Sequence, residues 1–147
     1  MASDESDTIL LDVFTTNQVR ERLITAALDG LELPPEDYPF YVITGAEGPW
    51  TPTALAARLE MPLSTVLFRV GRLEKRGHIE RAPNPDDRRS YLIRLTKEGE
   101  QLLGQARPRF RAHALAVEAR LDDRRIAQLR GALGELRNAL EAELSGG

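Results

Sequence analysis

Residues 51–77 read TPTALAARLEMPLSTVLFRVGRLEKRG, and they carry the clearest structural signals of the chain. Thr51 is a good helix N-cap and Pro52 suits a first helical turn, so a helix begins here. Pro62 ends it, because proline disfavours the helical conformation in the residue before it. A second helix follows at once and ends at Gly77, a residue typical of helix C-termini. Two short helices joined by a tight turn predict a helix-turn-helix unit.

The second helix, over about residues 63–76, has two different faces. Val66, Val70 and Leu73 repeat at helical spacing and must point into the core. The opposite face carries Ser64, Phe68, Gly71, Arg72 and Lys75. In a helix-turn-helix protein such a face meets a DNA major groove, where Ser64 or Thr65 can bond phosphate and Arg72 can reach a base edge or phosphate. Phe68 contacts a thymine methyl group in one interpretation and packs against a neighbouring segment in the other.

A two-stranded hairpin with a charged tip is predicted next. Strand-like residues at 79–82 and 91–95 flank a loop, residues 83–89, that contains two prolines, two aspartates and two arginines. The prolines keep the loop out of any hydrogen-bonded ladder, so the arginines project away from the core. An arginine on a narrow arm suits a DNA minor groove, and a tip that is only solvated surface is the alternative.

Further helices are predicted on both sides of this unit. One spans about residues 8–29, and the apolar run 38–43 predicts a short buried helix, with a strand as the alternative. A long helix over 97–121 contains Pro108, which should kink it. Asp122 or Asp123 caps a last helix with a narrow apolar seam: Ile126, Leu129, Leu133, Leu136 and Leu140. Such a seam favours a partner helix, so we expect a homodimer, with packing inside one chain as the alternative.

Charge is unevenly distributed along the chain. The formal net charge is −3, which by itself disfavours a nucleic-acid partner. Residues 1–57 contribute −8, residues 58–97 contribute +5 and the remainder is neutral. The basic charge is therefore concentrated in the helix-turn-helix and the hairpin, where a DNA contact is predicted.

Several classes of function are excluded or disfavoured by composition. The 147 residues include no cysteine, which excludes disulfides, Cys-ligated metal sites and thiol switches. His78 and His113 are the two histidines and lie far apart in sequence, so we expect no metal and no cofactor. No run is long and apolar enough for a membrane span, and Met1–Ser6 does not resemble a signal peptide, so a cytoplasmic protein is expected. No catalytic motif is present, and we expect no enzyme.

The stretch Thr51–Leu103 resembles the winged-helix domain of the MarR family of bacterial transcription regulators. The most specific match is Asn84-Pro85-Asp86-Asp87-Arg88-Arg89 followed by Leu95-Thr96-Lys97-Glu98-Gly99, the family's wing signature. The resemblance implies a mainly α fold with a small β-wing: a winged helix-turn-helix flanked by N- and C-terminal dimerisation helices. The corresponding segments are 1–33, 34–96 and 97–147.

The same resemblance implies a homodimer that binds a pseudo-palindromic operator in double-stranded DNA and usually represses. Arg89 would enter the minor groove, with Arg88 beside it, and Asp87 would orient one of these arginines. The recognition-helix contacts would be Ser64, Thr65, Phe68, Arg69 and Arg72. A winged-helix module that binds an acidic protein instead of DNA is the alternative function.

Many proteins of this family release DNA when a small, often phenolic or lipophilic, molecule binds. The resemblance implies a ligand pocket lined by Phe14, Tyr38, Tyr41, Trp50, Phe110 and His113. Arg107 or Arg111 would be available for an acidic group on the ligand. Core packing is the alternative role for each of these aromatic residues.

Overall fold

The structure is a computed structural model that describes residues 6–147. The prediction for Met1–Ser6 therefore concerns residues outside the described part of the chain, except for Ser6. Six helices and one hairpin follow in this order: α1 (Ile9–Ala27), α2 (Tyr38–Glu47), α3 (Pro52–Leu59), α4 (Leu63–Lys75), β1 (Ile79–Pro83), β2 (Tyr91–Leu95), α5 (Lys97–Glu118) and α6 (Asp123–Gly146). The predicted class, mainly α with a small β-wing, is confirmed.

Side-chain caps fix where several helices begin. The Thr51 hydroxyl accepts a hydrogen bond from the Ala54 amide at the start of α3, as predicted. Asp122, one of the two caps considered for α6, accepts one from the Arg125 amide. Each contact satisfies a backbone donor that the first helical turn leaves free.

The C-terminus of α4 is closed by Gly77 in the left-handed conformation, with φ of 77°. The Gly77 amide donates to the Glu74 carbonyl and the His78 amide donates to the Leu73 carbonyl. These two bonds form a Schellman motif, which ends the helix abruptly. The chain therefore turns directly from α4 into the first strand of the wing.

The start of α5 is bonded to this same turn. The Thr96 hydroxyl donates to the Gly77 carbonyl at 2.6 Å and accepts from the Gly99 amide at 3.1 Å. The Thr96 amide donates to the His78 carbonyl at 3.0 Å. A Cβ on Gly99 would overlap that carbonyl. The Leu-Thr-Lys-Glu-Gly motif thus joins α5 to the end of α4 and the base of the wing.

The wing is an antiparallel hairpin in which Ile79 pairs with Leu95 and Pro83 with Tyr91. Trp50 forms an isolated antiparallel β-bridge with Ile93, which the sequence did not predict. Its indole N–H donates to the Ile43 carbonyl at 3.2 Å. The segment before α3 is therefore tied both to the wing and to α2.

The core lies under α4. Val66, Val70 and Leu73 are fully buried, as predicted, and pack with side chains from α1, α2, α3, the strands and α5. The run 38–43 is helical, so the strand alternative is wrong. The helix α5 continues through Pro108 and ends at Glu118 rather than near residue 121.

The chain divides into two compact units, one ending at Phe110 and the other comprising Arg111–Gly147. In the first, α1 exposes large apolar side chains, among them Ile9, Leu10, Phe14 and Val19. In the second, α6 buries no residue and exposes Leu129, Leu133, Leu140 and Leu144. The segment boundaries 1–33, 34–96 and 97–147 stay a prediction.

Candidate nucleic-acid interface

The outward face of α4 is the first part of the candidate interface. Ser64 and Lys75 are exposed, and Phe68 is 70% exposed. Phe68 does not pack into the core. Its ring lies under the Arg72 guanidinium, whose central carbon is 5.9 Å from the ring centroid. A large aromatic ring held outward beside a cation can make apolar contact with a base methyl group.

The two arginines expected to contact DNA from α4 are held by one buried carboxylate. Asp37, which is fully buried at the start of α2, accepts a hydrogen bond from Arg69 at 3.0 Å. Both of its oxygens lie 2.6 Å from Nη2 of Arg72. Arg69 also donates to the Glu36 carbonyl at 2.8 Å. Neither arginine is a free cation in the DNA-free protein, and DNA contacts by Arg69 and Arg72 stay a prediction.

Sequence reasoning did not single out Asp37. Its two partners lie three residues apart on one flank of α4, and that flank faces the start of α2. Two arginines one turn apart on a half-buried flank need a buried acceptor. This spacing could have indicated that a buried acceptor exists. It could not indicate which carboxylate is that acceptor.

The wing tip is the second part of the candidate interface. Asp87 accepts a hydrogen bond from the Arg89 amide at 2.9 Å, and the Ser90 amide donates to the Asp87 carbonyl. The Asp87 carboxylate therefore shapes the turn through the backbone, whereas the expected contact was with a guanidinium. Arg88 and Arg89 are exposed, and neither pairs with a carboxylate in the part of the chain that the structure describes.

Half of the basic residues in the stretch 58–97 are paired with carboxylates. Five of its arginines pair with carboxylates: Arg58 with Glu47, Arg69 and Arg72 with Asp37, Arg81 with Glu74, and Arg94 with Glu80. Among residues 6–147, the basic residues of this stretch that have no such partner are Lys75, Arg76, Arg88, Arg89 and Lys97. Four of these lie at the end of α4 or at the wing tip, so the available positive charge is concentrated there.

Four of the six residues expected to line a ligand pocket lie in or against one packed core: Tyr38, Tyr41, Trp50 and Phe110. Tyr38 stacks on Phe110 with ring centroids 4.7 Å apart, Tyr41 is fully buried, and Trp50 bonds to the wing as described above. Phe14 is 58% exposed on α1. His113 belongs to the second unit. Tyr38 and Tyr41 thus belong to the packed core, which was the alternative considered for them.

A cavity of about 700 Å³ lies elsewhere in the first unit. It is lined by the end of α1, the segment before α2 and the end of α4: Thr25, Leu28, Asp29, Gly30, Leu31, Glu32, Leu33, Pro34, Pro35, Arg76 and His78. None of the six expected pocket residues is in this lining. The cavity carries charges of both signs, because Arg76 faces the same space as two carboxylates.

His78 connects this cavity to the core. The Tyr41 hydroxyl lies 2.7 Å from Nδ1 of His78, within hydrogen-bond distance. Burial, reinforced by the nearby charge of Asp37, raises the pKa of Tyr41 to about 12. The tyrosine therefore stays protonated over the whole physiological range.

Metal and membrane sites were also considered. Within residues 6–147, no three His, Asp or Glu side chains come together in a way that could hold a metal ion. In that same range, no helix combines the length and apolar character needed to cross a membrane.

Comparison with known proteins agrees with this geometry. Residues 40–90 match the model of the MarR family. The multiple antibiotic resistance protein MarR of Salmonella typhimurium is 30% identical over 97 residues, which cover 66% of this chain and 67% of that protein.

Two solved structures have a similar fold. A probable transcriptional regulator from Pseudomonas aeruginosa has 28% identity and a TM-score of 0.80, covering 90% of this chain and 99% of that one. A cysteine-to-serine variant of MarR from E. coli, in complex with operator DNA, has 25% identity and a TM-score of 0.81. The match covers 91% of this chain and 99% of that one. With a winged helix-turn-helix, a matching family model and relatives of this similarity, the chain belongs to the MarR family of transcription regulators.

Proposed function

We propose that the protein is a homodimeric repressor, acting in the cytoplasm, that binds a pseudo-palindromic operator. The helix α4 enters the major groove and the wing enters the adjacent minor groove. The observation that carries the proposal is the location of the available cations at the end of α4 and at the wing tip. A duplex attracts exposed cations, and a narrow minor groove attracts arginine most strongly. The solved complex of the E. coli MarR variant with operator DNA supports operator DNA as the partner.

The first experiment tests the wing. Arg89→Ala removes an exposed arginine that has no carboxylate partner, and we expect specific operator binding to weaken by about 1–3 kcal/mol. Arg94→Ala is the matched control, because Arg94 lies on the same hairpin but is paired with Glu80 at 2.7 Å. We expect little change from the control. Fluorescence anisotropy on a labelled fragment of the protein's own promoter region, with nonspecific competitor, measures both variants.

A function as a protein-binding module is the second candidate, and the same assay addresses it. Its support is that half of the basic residues in 58–97 are already paired, which lowers the attraction for DNA. If the wild-type chain binds no genomic fragment above competitor, the repressor proposal fails and this candidate replaces it. If Arg89→Ala and Arg94→Ala bind equally well, the wing has no part in recognition.

The dimer is supported by the apolar side chains that α1 and α6 each leave exposed. Leu133 is 60% exposed in the middle of the predicted seam. A second copy would remove such side chains from water, with a gain of about 25 cal/mol per Å² of apolar area. We expect Leu133→Glu to dissociate the dimer in analytical ultracentrifugation and Asn138→Glu, an exposed site of α6 outside the seam, to leave it intact. A monomeric wild-type chain would contradict the proposal.

Release by a small lipophilic or aromatic molecule is supported by the cavity at the end of α4. Its volume lies within the range of about 300–1,000 Å³ that is usual for small-molecule sites. Arg76 lines it and also ends the recognition helix, so an occupant there can shift α4. Phenolic acids titrated into the protein–operator complex should release DNA, and Leu31→Trp, which places a larger side chain in the cavity lining, should weaken this effect. Operator affinity that no aromatic compound changes would refute this part of the proposal.

A further inference from the structure

The carboxylate of Asp37 joins the start of α2 to the flank of the recognition helix. Its side chain is fully buried, yet it makes no capping hydrogen bond to the helix that it precedes. All of its hydrogen bonds to side chains go to Arg69 and Arg72 of α4. The role of this carboxylate is therefore directed toward α4 and not toward its own helix.

Stability alone does not account for such an arrangement. Burying a carboxylate with its partners costs desolvation energy that the ion pair roughly offsets, and apolar residues of similar volume are often equally stable. What the charged pair adds is a fixed anchor, since both carboxylate oxygens hold one guanidinium nitrogen, Nη2, at 2.6 Å while the cation lies over the Phe68 ring. The contact therefore sets where the Arg72 side chain points.

The held arginine still presents donors to the outside. Nη2 of Arg72 is bonded to Asp37, and its Nε is buried without a partner, whereas Nη1 makes no hydrogen bond within residues 6–147. The side chain as a whole is 34% exposed. Its guanidinium also lies over the outward ring of Phe68. Asp37 itself is out of reach of DNA, so it can orient the arginine without repelling a phosphate.

We propose that Asp37 is a positioning residue for DNA recognition: it fixes Arg72, and through it Phe68, in the orientation in which α4 meets the major groove. An oriented guanidinium loses less conformational freedom on binding than a mobile one, so the affinity for operator is higher. This inference rests on the proposed DNA-binding function and adds a residue that itself never touches DNA.

The test compares two neighbouring carboxylates. Asp37→Asn removes one negative charge from the buried contact with little change of shape. Glu36→Gln removes the same charge one residue earlier, where the side chain is 51% exposed and 4.0 Å from Arg72. We expect Asp37→Asn to weaken specific operator binding by about ten-fold or more and Glu36→Gln by about two-fold or less. Equal or tighter binding by Asp37→Asn would overturn the inference, because the carboxylate would then only mask a useful cation.

A double-mutant cycle shows whether Asp37 acts through Arg72. If it does, adding Asp37→Asn to Arg72→Ala costs no further affinity. Arg72→Lys can still place its single ammonium nitrogen against Asp37 but lacks the second terminal nitrogen, Nη1, that arginine leaves for DNA, and we expect it to bind operator nearly as weakly as Arg72→Ala. Wild-type affinity in Arg72→Lys would overturn the inference, and this variant remains informative if Asp37→Asn fails to fold.

A measurement without DNA separates this inference from the proposed function. In a ¹⁵N NMR spectrum, the buried Nε–H of Arg72 should give a sharp signal in the wild-type protein and in Glu36→Gln. In Asp37→Asn the signal should broaden or vanish while the amide signals of the core residues Val66, Val70 and Leu73 are retained. A sharp signal in Asp37→Asn overturns the positioning role whether or not the protein binds DNA. If the NMR result is as expected but the wild-type protein does not bind DNA, only the proposed function is refuted.

Discussion

Replacing Gly99 by alanine should destabilise the protein even though alanine is the better helix former. The new Cβ would overlap the His78 carbonyl oxygen and lie 3.0 Å from its carbon. Backbone atoms cannot rotate away as a long side chain can, so the start of α5 must move by about 1 Å to restore van der Waals contact. That movement breaks the hydrogen bonds from Thr96 to the His78 and Gly77 carbonyls, which measure 3.0 Å and 2.6 Å.

The magnitude follows from opposing contributions. Alanine gains about 1 kcal/mol in helix propensity, overpacking costs about 1–3 kcal/mol, and each lost hydrogen bond costs about 1 kcal/mol. We expect a net loss of about 2–4 kcal/mol in the free energy of unfolding. Because Thr96 and Gly99 join α5 to the end of α4, operator affinity should fall as well.

Urea unfolding at fixed protein concentration measures this change, and Gly104→Ala is the matched control. Gly104 lies in the same helix, and no atom comes within 4 Å of a Cβ built there. The control should gain up to about 1 kcal/mol. With a slope of about 2 kcal/mol per molar urea, the two midpoints should differ by more than about 1 M. Equal midpoints for the two variants would refute the steric reasoning.

Two further predictions concern single hydrogen bonds. Thr51→Ala removes the cap of α3 and should cost about 1 kcal/mol in urea unfolding, whereas Thr53→Ala, exposed in the first turn of the same helix, should cost much less. Tyr41→Phe should cost about 1 kcal/mol at neutral pH through the lost contact with His78. Because folding raises the Tyr41 pKa to about 12, the folded protein keeps the phenol proton where the unfolded chain has lost it. The stability advantage of wild type over Tyr41→Phe should therefore shrink as pH rises from about 10 to 12, and a constant advantage would contradict the assignment.

Local signals in the sequence were enough for the secondary structure. Thr51 capping α3, Gly77 closing α4 and the buried spacing of Val66, Val70 and Leu73 all depend on contacts within a few residues. The hairpin was predicted similarly from two short strand-like runs and a proline-containing loop, whereas its register comes from the structure. Such short-range patterns can be recognised from the amino-acid sequence.

Contacts between segments far apart in the chain could not be predicted from such patterns. The sequence placed Arg72 on the outward face of α4, but its partner, Asp37, lies 35 residues away. The bridge from Trp50 to Ile93 and the packing of Tyr38, Tyr41 and Phe110 in one core likewise depend on how helices pack. Hydrophobic periodicity tells which side of a helix is buried but not which polar group it faces.

The winged helix-turn-helix, its flanking helices and the basic stretch 58–97 could be predicted from the sequence, because helix caps, spacing and charge are properties of neighbouring residues. Which of those basic residues remain available depends on packing between distant segments. Packing brings five arginines against carboxylates and leaves Arg88 and Arg89 exposed at the wing tip. Ion pairing depends on distances of a few ångströms between segments far apart in the chain, and these distances exist only once the core has formed.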